Sequence, residues 1–145
     1  MDFPITDLMS DQASTEWILE HFHPAGLRCS HCQAAWAEAS EFRRTKKSEL
    51  WVYRCRRCKG IYNLYSGTVF EARHLRPAQV VLFVRGVLKG ESAATLAREL
   101  GMSRVTTTEL RKLIQANAIA IQPDTPLADD VVEADELFQN AGEKR

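Results

Sequence analysis

Cys29-Ser30-His31-Cys32 and Cys55-Arg56-Arg57-Cys58 are two C-x-x-C pairs separated by 22 residues, and together they hold all four cysteines of the chain. A pair spaced this way curls into a knuckle that aims both thiolates at one ion. A second knuckle completes a tetrahedral S₄ shell with Zn–S distances of ~2.3 Å. The insert slightly exceeds the ~15–20 residues usual between such pairs, and its content suits a β-hairpin that lengthens the finger. Two disulfides or four idle thiols are the competing readings. Disulfides need an oxidising compartment, and the start Met1-Asp2-Phe3-Pro4 lacks the basic and apolar run of a signal peptide. The expectation is a structural zinc on Cys29, Cys32, Cys55 and Cys58 in an intracellular protein. Four thiolates fill the shell, which leaves His21, His23 and His31 as bystanders.

Within the insert, residues 41–45 and 50–54 flank the polar Lys46-Lys47-Ser48-Glu49, so two extended arms meet at a turn. Leu50, Val52 and Phe42 are candidates for one apolar face, residues 61–65 for a third strand, and Ser66-Gly67-Thr68 for the turn out of the ribbon. Cations cluster here: Arg43, Arg44, Lys46 and Lys47 on the hairpin, then Arg54, Arg56, Arg57 and Lys59 around the second knuckle. A metal-held hairpin displaying these charges is suited to gripping a phosphate backbone without reading sequence. Trp51, Tyr53 and Tyr62 either stack on bases or pack the small metal core.

The chain's net charge of zero hides a partition. Residues 1–24 hold five acids and no Lys or Arg, residues 25–60 nine bases against three acids, residues 76–115 seven against three, and residues 116–145 two against seven. Local field attracts phosphates, so the basic middle suggests an anionic partner, although a solvated surface has the same composition. No apolar run reaches the ~18 residues of a membrane span. The 45% hydrophobic content is that of a folded chain.

The rest of the described pattern is helical. Residues 14–22 put Trp17, Ile18 and Phe22 on one face, with Ser14 or Thr15 available as cap and Pro24 and Gly26 as stop. Pro77 opens a segment rich in Val80, Val81, Phe83, Val84, Val87 and Leu88 that ends at Gly90. Ser92 caps a short helix, Gly101 ends it, and Ser103 caps a third helix over residues 104–117, with Val105, Leu110, Leu113 and Ile114 available to the core. Ala97 lets two helices cross closely, Leu100 and Met102 fill the crossing and Gly101 permits the tight turn, which is the pattern of a helix-turn-helix. In that motif Ser103, Arg104, Thr106 and Thr107 begin the recognition helix and meet base edges in the major groove, Arg104 being suited to guanine. An ordinary three-helix packing unit is the alternative.

After Asn117 the chain changes character. Residues 118–127 contain Pro123 and Pro126 and read as a linker, and Val131-Val132-Glu133-Ala134-Asp135-Glu136 alternates like a short strand. Composition alone makes this a solvated acidic tail. Yet the order of modules, with the runs Tyr53-Arg54-Cys55-Arg56-Arg57-Cys58, Ser66-Gly67-Thr68-Val69-Phe70 and Val132-Glu133-Ala134-Asp135-Glu136, resembles the N-terminal region of bacterial insertion-sequence transposases of the zinc-ribbon type. His23-Pro24, where that family often has Trp-Pro, and Thr108, where it often has an aromatic, are local departures.

The resemblance implies an α+β chain: an N-terminal helix and lead-in (1–26), a small β zinc ribbon (27–70), a three-helix helix-turn-helix module (75–117), then a linker and the truncated start of an RNase H-like domain (118–145). Asp135 is the position that matches the family's first catalytic aspartate. Two-metal strand transfer needs further metal ligands, which do not follow Asp135 before Arg145, so Mg²⁺ belongs to the family's complete catalytic domain and is not expected to function here. The expectation is a truncated, split or fragmentary transposase that binds double-stranded DNA at terminal inverted repeats without cutting it. It would be cytoplasmic and nucleoid-associated in a bacterium, with a second copy or an intact transposase as protein partner and no membrane. A stand-alone zinc-ribbon/helix-turn-helix transcription regulator is the alternative.

Overall fold

The insert between the cysteine pairs does form a hairpin. In the computed structural model, which describes residues 10–121, β1 (Ala39–Arg44) and β2 (Trp51–Cys55) pair antiparallel, and β3 (Ile61–Asn63) adds to the other side of β2. Four α-helices complete an α+β arrangement: α1 (Asp11–Phe22), α2 (Pro77–Leu88), α3 (Ala93–Glu99) and α4 (Arg104–Ala120). A 3₁₀ turn, Trp36–Glu38, leads into β1.

Strand boundaries differ from the sequence expectation, and local hydrogen bonds account for the differences. Between β1 and β2 the Thr45 hydroxyl meets Ser48 Oγ at 2.6 Å and accepts the Leu50 N–H at 3.0 Å, so Leu50 belongs to the turn. β3 stops at Asn63 because its side-chain oxygen accepts the Tyr65 N–H at 2.9 Å while Ser66 Oγ accepts the Asn63 N–H, and both bonds bend the chain out of the sheet. A bulge between Glu41 and Arg43 turns Phe42 away from the buried side; it is 44% exposed and lies under the Arg54 guanidinium at 4.1 Å.

The register assigns each strand residue a side. Arg43, Val52, Arg54 and Ile61 share one face of the sheet, and Arg44, Trp51, Tyr53 and Tyr62 share the other.

Helix α1 starts a turn earlier than expected. Ser10 is the cap, its Oγ accepting the Ala13 N–H, and Ser14 is buried inside the helix. Asp11 joins α1 to α2: one carboxylate oxygen takes both Nε and Nη2 of Arg76, at 2.9 and 2.5 Å, and the other accepts the Ala78 N–H.

The largest core cluster runs across ribbon and helices, combining Ile18 of α1, Leu50, Leu64 and Tyr65 of the ribbon, and Val80, Phe83, Leu96 and Leu110 of the helices. Phe70 sits at the join, fully buried, with the rings of Phe22, Tyr65 and Phe83 within 6.0–6.3 Å. Tyr65 donates its buried hydroxyl to the Leu75 carbonyl at 2.8 Å, and burial, then the Asp11 charge, pushes its phenol pKa up. A smaller cluster, Leu27, Cys29, Ala34, Cys55 and Tyr62, surrounds the knuckles.

Helices α2 and α3 both end on a glycine in the left-handed region. After α2, Gly90 takes φ +77 and the Glu91 N–H reaches back to the Gly86 carbonyl; after α3, Gly101 takes φ +63 and the Met102 N–H reaches the Ala97 carbonyl. This wrap satisfies the orphaned carbonyls of each helix end. Ser92 and Ser103 then cap α3 and α4 as expected. In α4, Leu110 is buried and Ile114 packs against the core, but Val105 is 69% and Leu113 43% exposed, and the helix continues past Asn117 to Ala120. The core-facing stripe of this helix is therefore narrower than its apolar composition suggests.

The seat of the buried Leu96 of α3 against α2 depends on Gly86. A Cβ there would lie 2.2 Å from Cδ2 of the buried Leu96. Gly86→Ala gains ~1 kcal/mol of helix propensity but forces overpacking that costs ~1–3 kcal/mol. The expected outcome is a net loss of stability, read as a fall of several degrees in Tm; a rise in Tm would mean the contact relaxes freely.

Candidate metal centre and nucleic-acid interface

The two knuckles are built alike. In the first, the Cys29 N–H donates to the Ala34 carbonyl and the Gln33 N–H to the Cys29 carbonyl; in the second, Cys55 donates to Gly60 and Lys59 to Cys55. The residue after each pair, Gln33 at φ +59 and Lys59 at φ +65, takes the left-handed conformation that closes the loop. Gly60 is confined: a Cβ would meet the His31 ring at 2.5 Å and Cys58 Sγ at 3.2 Å. A further backbone bond, from the Arg56 N–H to the Glu38 carbonyl, ties the second knuckle to the 3₁₀ turn.

These loops bring all four sulfurs to within 4.8 Å of one another, as free thiols. The Cys29–Cys58 and Cys32–Cys55 separations are both 3.6 Å, far beyond the ~2.05 Å of a disulfide. A tetrahedron with metal–sulfur bonds of ~2.3 Å has edges of roughly 3.8 Å, so the cluster can hold a metal ion of that size. Without a cation the thiols work against each other. The Ala34 N–H lowers the Cys32 pKa, but desolvation and the three neighbouring sulfurs outweigh it and push that thiol up to about 12. Backbone N–H groups of Cys58 and Arg57 bring Cys55 down to about 7.

The histidines are used elsewhere. His21 Nδ1 bonds the Trp17 carbonyl at 2.8 Å, His23 Nε2 the Leu64 carbonyl at 2.7 Å and His31 Nε2 the Ile61 carbonyl at 3.2 Å. Among the described residues the four cysteines are the group able to hold a metal.

The cations proposed for DNA are surface residues: Arg43, Arg44, Lys46, Lys47, Arg56 and Arg57 are all exposed. They do not form one surface. Arg43 shares its face with Arg54, whereas Arg44 points to the opposite face, stacks over Trp51 at 5.4 Å and donates to the Glu49 carbonyl.

At the start of α4, Ser103 and Arg104 are exposed and Thr106 is half-buried, its N–H taken by Ser103 Oγ. Thr107 is a correction. It is fully buried and donates its hydroxyl to the Ser103 carbonyl, because its place on the helix faces the core with Leu110, so it is unavailable to DNA. Arg73 and His74, neither of them among the expected DNA contacts, line a cleft of about 350 Å³ with Ser103 and Thr106. Arg73 is also ion-paired to Glu109 at 3.5 Å. Residues 118–120, expected to open the linker, instead belong to α4, because the helical hydrogen bonding runs on to the Ile121 cap; Asp135 and residues 122–127 lie outside the described residues. No described helix is long and apolar enough to cross a membrane. No family model, curated protein or solved structure matches this chain.

Proposed function

We propose that this chain binds duplex DNA as the recognition portion of an insertion-sequence transposase, with a structural zinc in the four-cysteine cluster. The observation that carries the DNA reading is the first turn of α4. Ser103 and Arg104 stand exposed after a tight glycine turn, and Arg73 and His74 share a cleft with Ser103 and Thr106. This suits insertion of a helix N-terminus into the major groove, where Arg104 would read a guanine edge and Thr106 a phosphate or thymine methyl. The cations of the hairpin and second knuckle supply sequence-independent attraction. Zinc is favoured by the soft donor set and by sulfur separations of 3.6 Å. The transposase assignment rests on the resemblance of the ribbon runs and of the sequence around Asp135.

The reading requires terminal inverted repeats bounding the gene, and these provide the test. The zinc-loaded chain should prefer a repeat duplex over a shuffled duplex of equal composition by about 10³-fold, the lower end for specific sites. Equal affinity for both would overturn repeat recognition. Preference for promoter DNA outside the repeats would instead support a stand-alone regulator.

A further inference from the structure

The face of the sheet that carries Trp51 and Tyr53 is turned toward α1 and leaves a groove of about 740 Å³ between them. Leu19, Leu27 and Leu64 line it with Trp36, Trp51 and Tyr53. Trp36 is 50% and Trp51 39% exposed, and the Trp36 ring meets Tyr53 edge-on at 4.5 Å. Two of the chain's three tryptophans therefore present apolar surface in one trough. Exposed aromatics around a concavity of this size are the usual anchor points of a binding site.

Charge selects the occupant. Asp11, Glu16 and Glu49 stand at the groove against the single guanidinium of Arg44, which is stacked on Trp51. Asp11 is engaged by Arg76, but Glu16 and Glu49 are exposed. With Asp11 matched by Arg76, Glu16 and Glu49 outnumber Arg44 by one charge, an imbalance that disfavours phosphate and favours a cation. The hairpin cations Arg43 and Arg54 lie on the other face of the sheet, so occupancy of the groove leaves them accessible.

We infer that this groove docks a cationic amphipathic segment of a partner protein, its apolar side chains seated between α1 and Trp36–Trp51 and its Lys or Arg side chains against Glu16 and Glu49. The occupant's cations add contacts to the exposed indole faces. The trough is too large for one nucleobase and suits several aliphatic or aromatic side chains.

The experiment uses the full zinc-loaded chain and three synthetic peptides of equal length: Leu at helical spacing with Lys elsewhere, the same Leu pattern with Glu, and a Lys peptide with Ala in place of Leu. Binding is read by tryptophan fluorescence and by methyl chemical shifts of Leu19, Leu27 and Leu64. The Leu–Lys peptide should bind at least ~10-fold more tightly than either control and shift those methyls. Glu16→Lys with Glu49→Lys, both exposed positions, should lower Leu–Lys affinity by about 10-fold and raise that of Leu–Glu. Trp36→Ala should weaken the Leu–Lys peptide by about 10-fold or more without changing affinity for duplex DNA. Equal binding of the three peptides, or shifts confined to other methyls, overturns the proposal. So does displacement of the peptide by oligo-thymidine, or a concentration-dependent dimer abolished by Trp51→Ala, which would give the groove to single-stranded DNA or to a second copy.

Discussion

Stripping the metal, or replacing Cys55 by Ser, is expected to unfold the ribbon end of the molecule while most helical signal survives. The difference follows from how the cores are divided. Leu27, Cys29, Ala34, Cys55 and Tyr62 make a small cluster in which two members belong to the four-cysteine group, whereas the larger cluster around Phe70, Phe83 and Leu96 contains no cysteine and draws members from all four helices. Structural zinc contributes on the order of 10–16 kcal/mol in small zinc peptides, more than this cluster can supply by burial. Metal analysis should give one zinc per chain. Chelation should then expose the amides of β1, β2 and β3 to hydrogen exchange and change Trp36 and Trp51 fluorescence, with far-UV ellipticity largely retained. Unchanged metal content in Cys55→Ser would remove the assignment. Full loss of helix on chelation would instead mean that Leu50 and Leu64 hold the large core together.

The same site predicts a direction with pH. With the four sulfurs held together and no ion between them, burial and then the neighbouring sulfurs push the Cys32 thiol up, to about 12, so the cluster carries a proton that a metal has to displace. Affinity for the metal therefore rises with pH and falls on acidification. Competition against a chromophoric chelator at about pH 6 and about pH 8 should show tighter retention at the higher value.

How much of this was legible in the sequence varies with the range of the interaction. The two C-x-x-C pairs specified the cluster because each knuckle is local, closed by bonds no further apart than Cys29 to Ala34 or Cys55 to Gly60. Ser92, Gly101 and Ser103 were legible for the same reason, as caps and a turn acting over three or four residues. Facing was less so. The bulge that exposes Phe42 has no mark in the sequence, and Thr107 looked like its neighbours Thr106 and Thr108 until the helix phase placed it against Leu110. The role of Gly86 has no local mark in the sequence either, because it is a contact with Leu96 on the next helix. Arg44 was grouped with the other cations by proximity, and only strand register separates it from Arg43.

That separation sharpens the expected behaviour on DNA. Replacing Arg43, Lys46 and Lys47 together should weaken binding to every duplex and flatten its salt dependence, each lost phosphate contact lowering the slope of log K against log salt by about 0.9. If all three contact phosphate, the slope falls by about 2.7, and the affinity lost across a fourfold rise in salt shrinks by roughly 40-fold. Arg44→Ala should leave the slope nearly unchanged, because that guanidinium is stacked on Trp51 and bonded to the Glu49 carbonyl on the opposite face. Arg104→Ala should behave differently again, costing ~1–3 kcal/mol on the cognate site and little on random duplex, as expected for a residue that reads a base edge. Thr107→Ser, which retains the hydroxyl but removes a buried methyl, should lower stability by about 1 kcal/mol and leave specificity intact. Isotherms at several salt concentrations, on cognate and random duplexes, separate these variants. An Arg44→Ala slope equal to that of Arg43→Ala would show that the hairpin meets DNA with its aromatic face, and equal losses on both duplexes for Arg104→Ala would move that residue to the phosphate contacts.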